Sequence, residues 1–117
     1  MVDKMTLNEY QDKSSNTILP LNAAQTNVGA PLYFILGLVG ETGEIVEKYK
    51  KILRNDNGVL TLDKQRELAK ELGDVLWYLA MLAKEFGYTL ENIAYMNLDK
   101  LADRKLNNKI RGEGDNR

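Results

Sequence analysis

The 117-residue chain reads as an all-α protein, and three features of the sequence predict this. Apolar residues recur at spacings of three and four, the period of one helix face. The segments that carry this period open on capping residues and close on turn formers. Between them no stretch reads as a convincing strand. The whole of residues 1–117 is read as one domain, a four-helix bundle completed by dimerisation. A chain of this length buries roughly two-thirds of the surface its unfolded form exposes.

The first helix is expected over about residues 6–16. Thr6-Leu7-Asn8-Glu9 is a capping box, in which the Thr and Glu side chains satisfy each other's free backbone amides. Residues 19–30 then lack sustained periodicity and read as a long connection. Connections of that length are uncommon without a functional reason, so this one either borders a site or is a mobile surface loop. Pro31 suits the first turn of a second helix, over about 31–54, which stops at Asn55-Asp56-Asn57-Gly58. Gly37, Gly40 and Gly43 fall inside it, each costing about 1 kcal/mol relative to Ala. They imply close approach by a neighbour or a helix start nearer Gly40.

Thr61 opens a third helix, over about 62–86, and Gly87 follows its end. Between Leu68 and Leu82 it is apolar around more than half its circumference, which suits a bundle interior or a subunit interface. Trp77 lies off the centre of that arc, either as a dimer contact or as a platform for a base. Thr89 caps the fourth helix, over about 89–106, with Glu91 favouring its N-terminal dipole. A polar tail, 107–117, completes the chain.

Two of these helices carry paired carboxylates. Gly40-Glu41-Thr42-Gly43-Glu44 lies in the second, and Glu71-Leu72-Gly73-Asp74 in the third. Acids three apart share a helix face, with Cβ atoms about 5–6 Å apart. Glu41 and Glu44 border an apolar arc of Leu38, Ile45, Val46, Ile52 and Leu53. Glu71 and Asp74 border an arc that includes Leu68, Leu72, Val75, Leu76 and Leu79. Packing the two arcs together would converge four carboxylates on one point, and a divalent cation would supply the missing charge. On the fourth helix Asn97, Lys100 and Arg104 lie along one line, and residues 100–117 hold six basic against three acidic side chains. That stripe is either a solvated face or a phosphate contact.

Composition narrows the chemistry. There is no cysteine and no histidine, which removes thiolate sites, the usual general base and the commonest transition-metal ligand. A hard cation such as Mg²⁺, with Mn²⁺ as a substitute, fits an all-oxygen site. Sixteen basic and seventeen acidic residues give a net charge of −1, so no bulk field points to nucleic acid or an anionic membrane. No signal core or membrane-length run occurs, and the default expectation is a cytoplasmic protein.

The two half-motifs, Glu41-x-x-Glu44 and Glu71-x-x-Asp74, are separated by residues 45–70, and with their flanks they resemble the signature of MazG-like nucleoside triphosphate pyrophosphohydrolases. The resemblance covers about residues 6–117. It implies an all-α homodimer or dimer of dimers that hydrolyses a nucleoside triphosphate to the monophosphate and pyrophosphate with Mg²⁺. By position it implies Glu41, Glu44, Glu71 and Asp74 as metal ligands and Asn97 and Lys100 as nucleotide contacts; Arg104 joins these two by geometry. The alternatives are a dUTP- or dCTP-selective enzyme of the same fold, or a catalytically silent bundle that binds a nucleotide or a protein.

Overall fold

A computed structural model of the chain describes residues 4–18 and 30–107. Among these residues there are four helices and no strand: α1 Leu7–Ser15, α2 Ala30–Asn55, α3 Leu62–Glu85 and α4 Leu90–Leu106. The expected boundaries are met to within a residue or so. The connection over 19–29 and the tail from 108 onward lie outside the described residues.

Capping fixes the helix starts. The Glu9 amide donates to Thr6 Oγ1 at 3.0 Å and the Thr6 amide donates back to Glu9 Oε1, which completes the capping box. The Lys64 amide donates to Thr61 Oγ1 in the same way. Thr89 forms a second capping box, with Asn92 as its partner. Glu91 has a role beyond the helix dipole: its amide donates to Asn8 Oδ1 at 3.0 Å, and its Oε2 accepts from the Asn8 amide at 3.1 Å. The start of α1 is thereby tied to the start of α4.

Helix ends use the left-handed region. After α2, Asn57 and Gly58 take φ values of 55° and 75°, and the Gly58 amide turns back to the Ile52 carbonyl. Asn tolerates this conformation better than other side chains do, and Gly adopts it without strain. Lys64 of α3 forms an ion pair with Asp56 across the same turn. The result is an antiparallel α2–α3 hairpin, and this is the most extensive helix–helix contact in the fold.

The second helix does begin at Ala30, so all three of its glycines are interior. Gly37 is where a neighbour approaches: a Cβ at this position would fall within the Tyr78 ring of α3. Gly40 and Gly43 face open space within the single chain.

The core lies at one end of the hairpin. Phe34, Ala80, Met81, Ala83 and Leu90 are buried there, flanked by Tyr10, Ile18, Leu76, Trp77, Leu79 and Ile93. The deepest residues of α3 are therefore two alanines and a methionine, not the leucines of the expected arc. Small side chains are needed there because α1 crosses closely enough for Gln11 to reach the backbone. At the other end only Ile52 is buried, while Val46, Leu53 and Leu72 of the expected arcs stay more than half exposed.

Gln11 is 5 % exposed and uses its whole side chain. Nε2 donates to the carbonyls of Ala80 (3.1 Å) and Tyr88 (3.0 Å), and Oε1 accepts from the Leu90 amide at 3.1 Å. Replacing it by Ala strands buried backbone groups, each costing about 1–3 kcal/mol. We expect Gln11→Ala to lower the unfolding free energy by about 2–4 kcal/mol in urea titrations at fixed protein concentration. A change below about 0.5 kcal/mol, the range of an ordinary surface site, would contradict this assignment.

Candidate active site

The carboxylates lie midway along the α2–α3 hairpin, at the edge of the packed end. Glu41, Glu71 and Asp74 each place one carboxylate oxygen within 4.8 Å of the others. Glu41 and Glu71 are half-buried and Asp74 is exposed. Glu44 lies outside this trio. It is exposed, close enough to add to the field at Glu41 but not one of the acids whose oxygens converge.

Burial and the crowding of like charges act together on Glu41. The Glu41 carboxyl is pushed above its ordinary value, first by burial, then by Asp74 and Glu71, with Glu44 a smaller contributor. A side-chain hydrogen bond with Glu71 acts in the same direction. Lys48, one turn beyond Glu44, supplies the nearest compensation: its Nζ pairs with Glu71 Oε1 at 2.9 Å. This hydrogen bond is the first cause raising the Lys48 pKa, with Glu67 and Glu44 adding to it. Lys48 was not singled out in the sequence, although it stands seven residues after Glu41 and so on nearly the same face. The donor set is three carboxylates, all hard oxygen ligands, and it suits a hard divalent cation.

Beside the carboxylates is a cavity of about 320 Å³, lined by Thr17, Glu41, Asp74, Trp77 and Tyr78. Its aromatic wall is held edge-on. Trp77 and Tyr78 meet at 5.0 Å between ring centroids with planes at 86°, and Phe34 supports both from behind. The Trp77 indole N–H donates to Thr17 Oγ1 at 2.7 Å, which joins the end of α1 to α3. This intrachain bond is a role that neither expectation for Trp77 included. Burial, followed by Tyr33 and Glu41, raises the pKa of Tyr78, so its phenol stays protonated.

The α4 stripe stands apart. Asn97 is exposed and Lys100 half-buried, and both line a separate cavity of about 660 Å³ with Ile93, Met96 and Asp99. Arg104 is buried. Among the described residues, none from α4 lines the carboxylate cavity. Within one chain, then, the structure brings three acids and two aromatic rings together, and it leaves Asn97 and Lys100 elsewhere.

The sequence that builds these helices has a counterpart among known families. Residues 30–108 match the model of the MazG nucleotide pyrophosphohydrolase domain, which spans α2 to α4. The chain belongs to the MazG nucleotide pyrophosphohydrolase family. It is also similar to the gene 37 protein of Mycobacterium phage L5, at 42% identity over 114 residues, covering 97% of this chain and all of that protein. No solved structure gives a significant match.

The electrostatics give a direct test. A carboxyl whose folded pKa is raised disfavours the folded state once it ionises, so wild type loses stability as pH rises through that pKa. In metal-free protein Glu41→Gln should raise the melting temperature at pH 7. The gain should vanish well below 4.5, the ordinary value, where both forms are neutral. A melting temperature at pH 7 below that of wild type would show that the Glu41 charge is instead stabilising.

Proposed function

We propose that the protein hydrolyses a nucleoside triphosphate to the monophosphate and pyrophosphate, using Mg²⁺ or Mn²⁺ held by Glu41, Glu71 and Asp74. The observation that carries this reading is the meeting of three carboxylates from α2 and α3 within 4.8 Å, beside an aromatic-walled cavity. Family membership supports it. A bound divalent cation would supply Lewis acidity to the phosphate oxygens and lower the pKa of a coordinated water.

The chain's own residues account for the remaining steps. Glu41, the most crowded of the acids, is suited to orient the attacking water. Glu44, one turn further along α2, adds to the negative field at Glu41 and would assist in holding the cation there. Trp77 and Tyr78 offer an apolar edge against which a nucleobase can pack, close to the phosphate-cleaving point. Asn97, Lys100 and Arg104 are proposed as substrate contacts. Because no described α4 residue reaches the carboxylate cavity of its own chain, Asn97 and Lys100 are assigned to a site completed on association. The preferred base follows from the walls of that cavity, and selectivity for dUTP or dCTP is the variant of this reading to test beside general triphosphate hydrolysis.

Association has its own support. Leu32, Leu36, Val39, Val46 and Leu53 are all more than half exposed on α2. Their spacing of four, three, seven and seven is that of a helix–helix seam. Gly43 falls in the same register, where its missing side chain permits close approach. A second copy of the chain would cover this seam, as a homodimer or a dimer of dimers. The single domain over residues 1–117 would be its unit, acting in the cytoplasm on the nucleotide pool, either in pool control or in housekeeping.

Product analysis, activity assays and light scattering test the proposal. Phosphorus NMR should show monophosphate and pyrophosphate as the first products, whereas early diphosphate with orthophosphate would refute cleavage between the α- and β-phosphates. Activity should disappear in excess EDTA, and Asp74→Asn should lower kcat/KM by about two orders of magnitude or more while the fold persists. Light scattering at micromolar concentration should give at least twice the 13.3 kDa chain mass. A fully active 13.3 kDa monomer would overturn the shared-site assignment.

A further inference from the structure

Lys48 is placed differently from the other lysines of α2. Its Nζ lies 2.9 Å from Glu71 Oε1, and the two side chains are 38% and 16% exposed, so this ion pair is largely sheltered on the acid's side. By contrast, Lys50 pairs with Glu47 along the same helix, and both of those side chains are at least half exposed. The Lys48 pair crosses from α2 to α3 and engages one of the three acids whose oxygens converge.

On its other side Lys48 lines a second cavity of about 230 Å³, together with Lys51, Asn55, Lys64 and Glu67. Glu67 is four residues before Glu71, so it lies one turn away on the same face of α3. Lys48 therefore stands between two carboxylates of one helix, with open volume beside it.

We infer that Lys48 is a tethered counter-ion that holds Glu71 while the acid cluster carries no metal and yields that carboxylate when a divalent cation binds. The inference rests on the proposed metal site. It adds that the site's affinity is set partly by a competing charge within the chain. Three acids within 4.8 Å repel one another, and an ammonium at hydrogen-bond distance offsets part of that repulsion. A divalent cation in the same place must displace this contact or bear the repulsion of a neighbouring positive charge. In either case Lys48 opposes the metal. Once released, the ammonium has Glu67 within one helical turn and the 230 Å³ cavity to move into.

The prediction has an unusual sign: removing a residue of the site should tighten metal binding. The experiment titrates Mn²⁺ into the metal-free full chain without nucleotide, following free Mn²⁺ by electron paramagnetic resonance, with circular dichroism to confirm the fold. Lys48→Met should lower the Mn²⁺ Kd by about three- to tenfold, the size expected when a partly exposed opposing charge is removed. Lys48→Arg, which keeps the charge, should stay within about twofold of wild type. Lys50→Met, which removes a lysine of the same helix outside the cluster, should leave the Kd unchanged.

A purely structural role for Lys48 would loosen the cluster and weaken Mn²⁺ binding, the opposite sign. Wild type that binds Mn²⁺ together with Lys48→Met of equal or weaker affinity would overturn the counter-ion role and leave the metal site standing. If Lys48→Met does not fold, Lys48→Gln replaces it, with the same expected direction. Wild type that shows no Mn²⁺ binding would remove the metal site and the counter-ion role together.

Discussion

One side-chain amide at the packed end of the molecule sets the positions of three helices. The turn between α3 and α4 is short and its residues 86–89 are exposed, but on its inner side it presents the buried Leu90 amide and the part-buried Tyr88 carbonyl. Gln11 has two donors and one acceptor on a side chain long enough to reach both of these groups and the Ala80 carbonyl. A Glu here would lack the donors, and an Asn would be one methylene too short. Because Gln11 belongs to α1, satisfying that turn also fixes α1 across α3. The end of α1 then meets Trp77 through Thr17, and Trp77 packs on Phe34 of α2. The rotation of α3 relative to α2 follows from this chain of contacts, and with it the convergence of Glu41, Glu71 and Asp74.

The packed end and the acid cluster pull in opposite directions energetically. Core burial and satisfied backbone groups favour the hairpin register that is seen, while that register forces like charges together. Natural folds keep such local conflicts mainly where they serve a function. The conflict is confined to one face of the hairpin, just beyond the last large buried side chains, where exposure of Asp74 admits solvent and solute ions. Stability is therefore supplied at one end of the hairpin and put to use at its middle.

The helices were legible because their signals are local. Thr6, Thr61 and Thr89 cap in the sequence as they do in the structure, and Gly87 and Asn57-Gly58 stop the chain where expected. Pairing of acids by threes was legible too. Which acids converge was not, because that depends on the line along which α2 touches α3. Successive helical residues turn by about 100°, so Glu44 sits about 60° from Glu41 while Lys48 sits only about 20° from it. Lys48 thus shares Glu41's face better than Glu44 does, and a wheel centred on Glu41 would have found it. The α4 stripe shows the same limit. Spacing aligns Asn97, Lys100 and Arg104 on the helix, but the direction in which α4 leaves the core is set where Leu90 and Glu91 at its start meet Gln11 and Asn8, residues far away in sequence.

The sequence holds a single tryptophan, and it stands in the wall of the cavity beside the acids, its N–H bonded to Thr17. Indole emission depends on the polarity and hydrogen bonding around that one ring. Indole emission from the unlabelled protein therefore comes only from the rim of its candidate catalytic centre, and excitation at the red edge of the absorption band separates it from the tyrosines. The molecule carries its own optical gauge of what enters there: a nucleobase laid against the ring, water withdrawn from it, or the Thr17 bond broken would each change the colour or yield of the same signal.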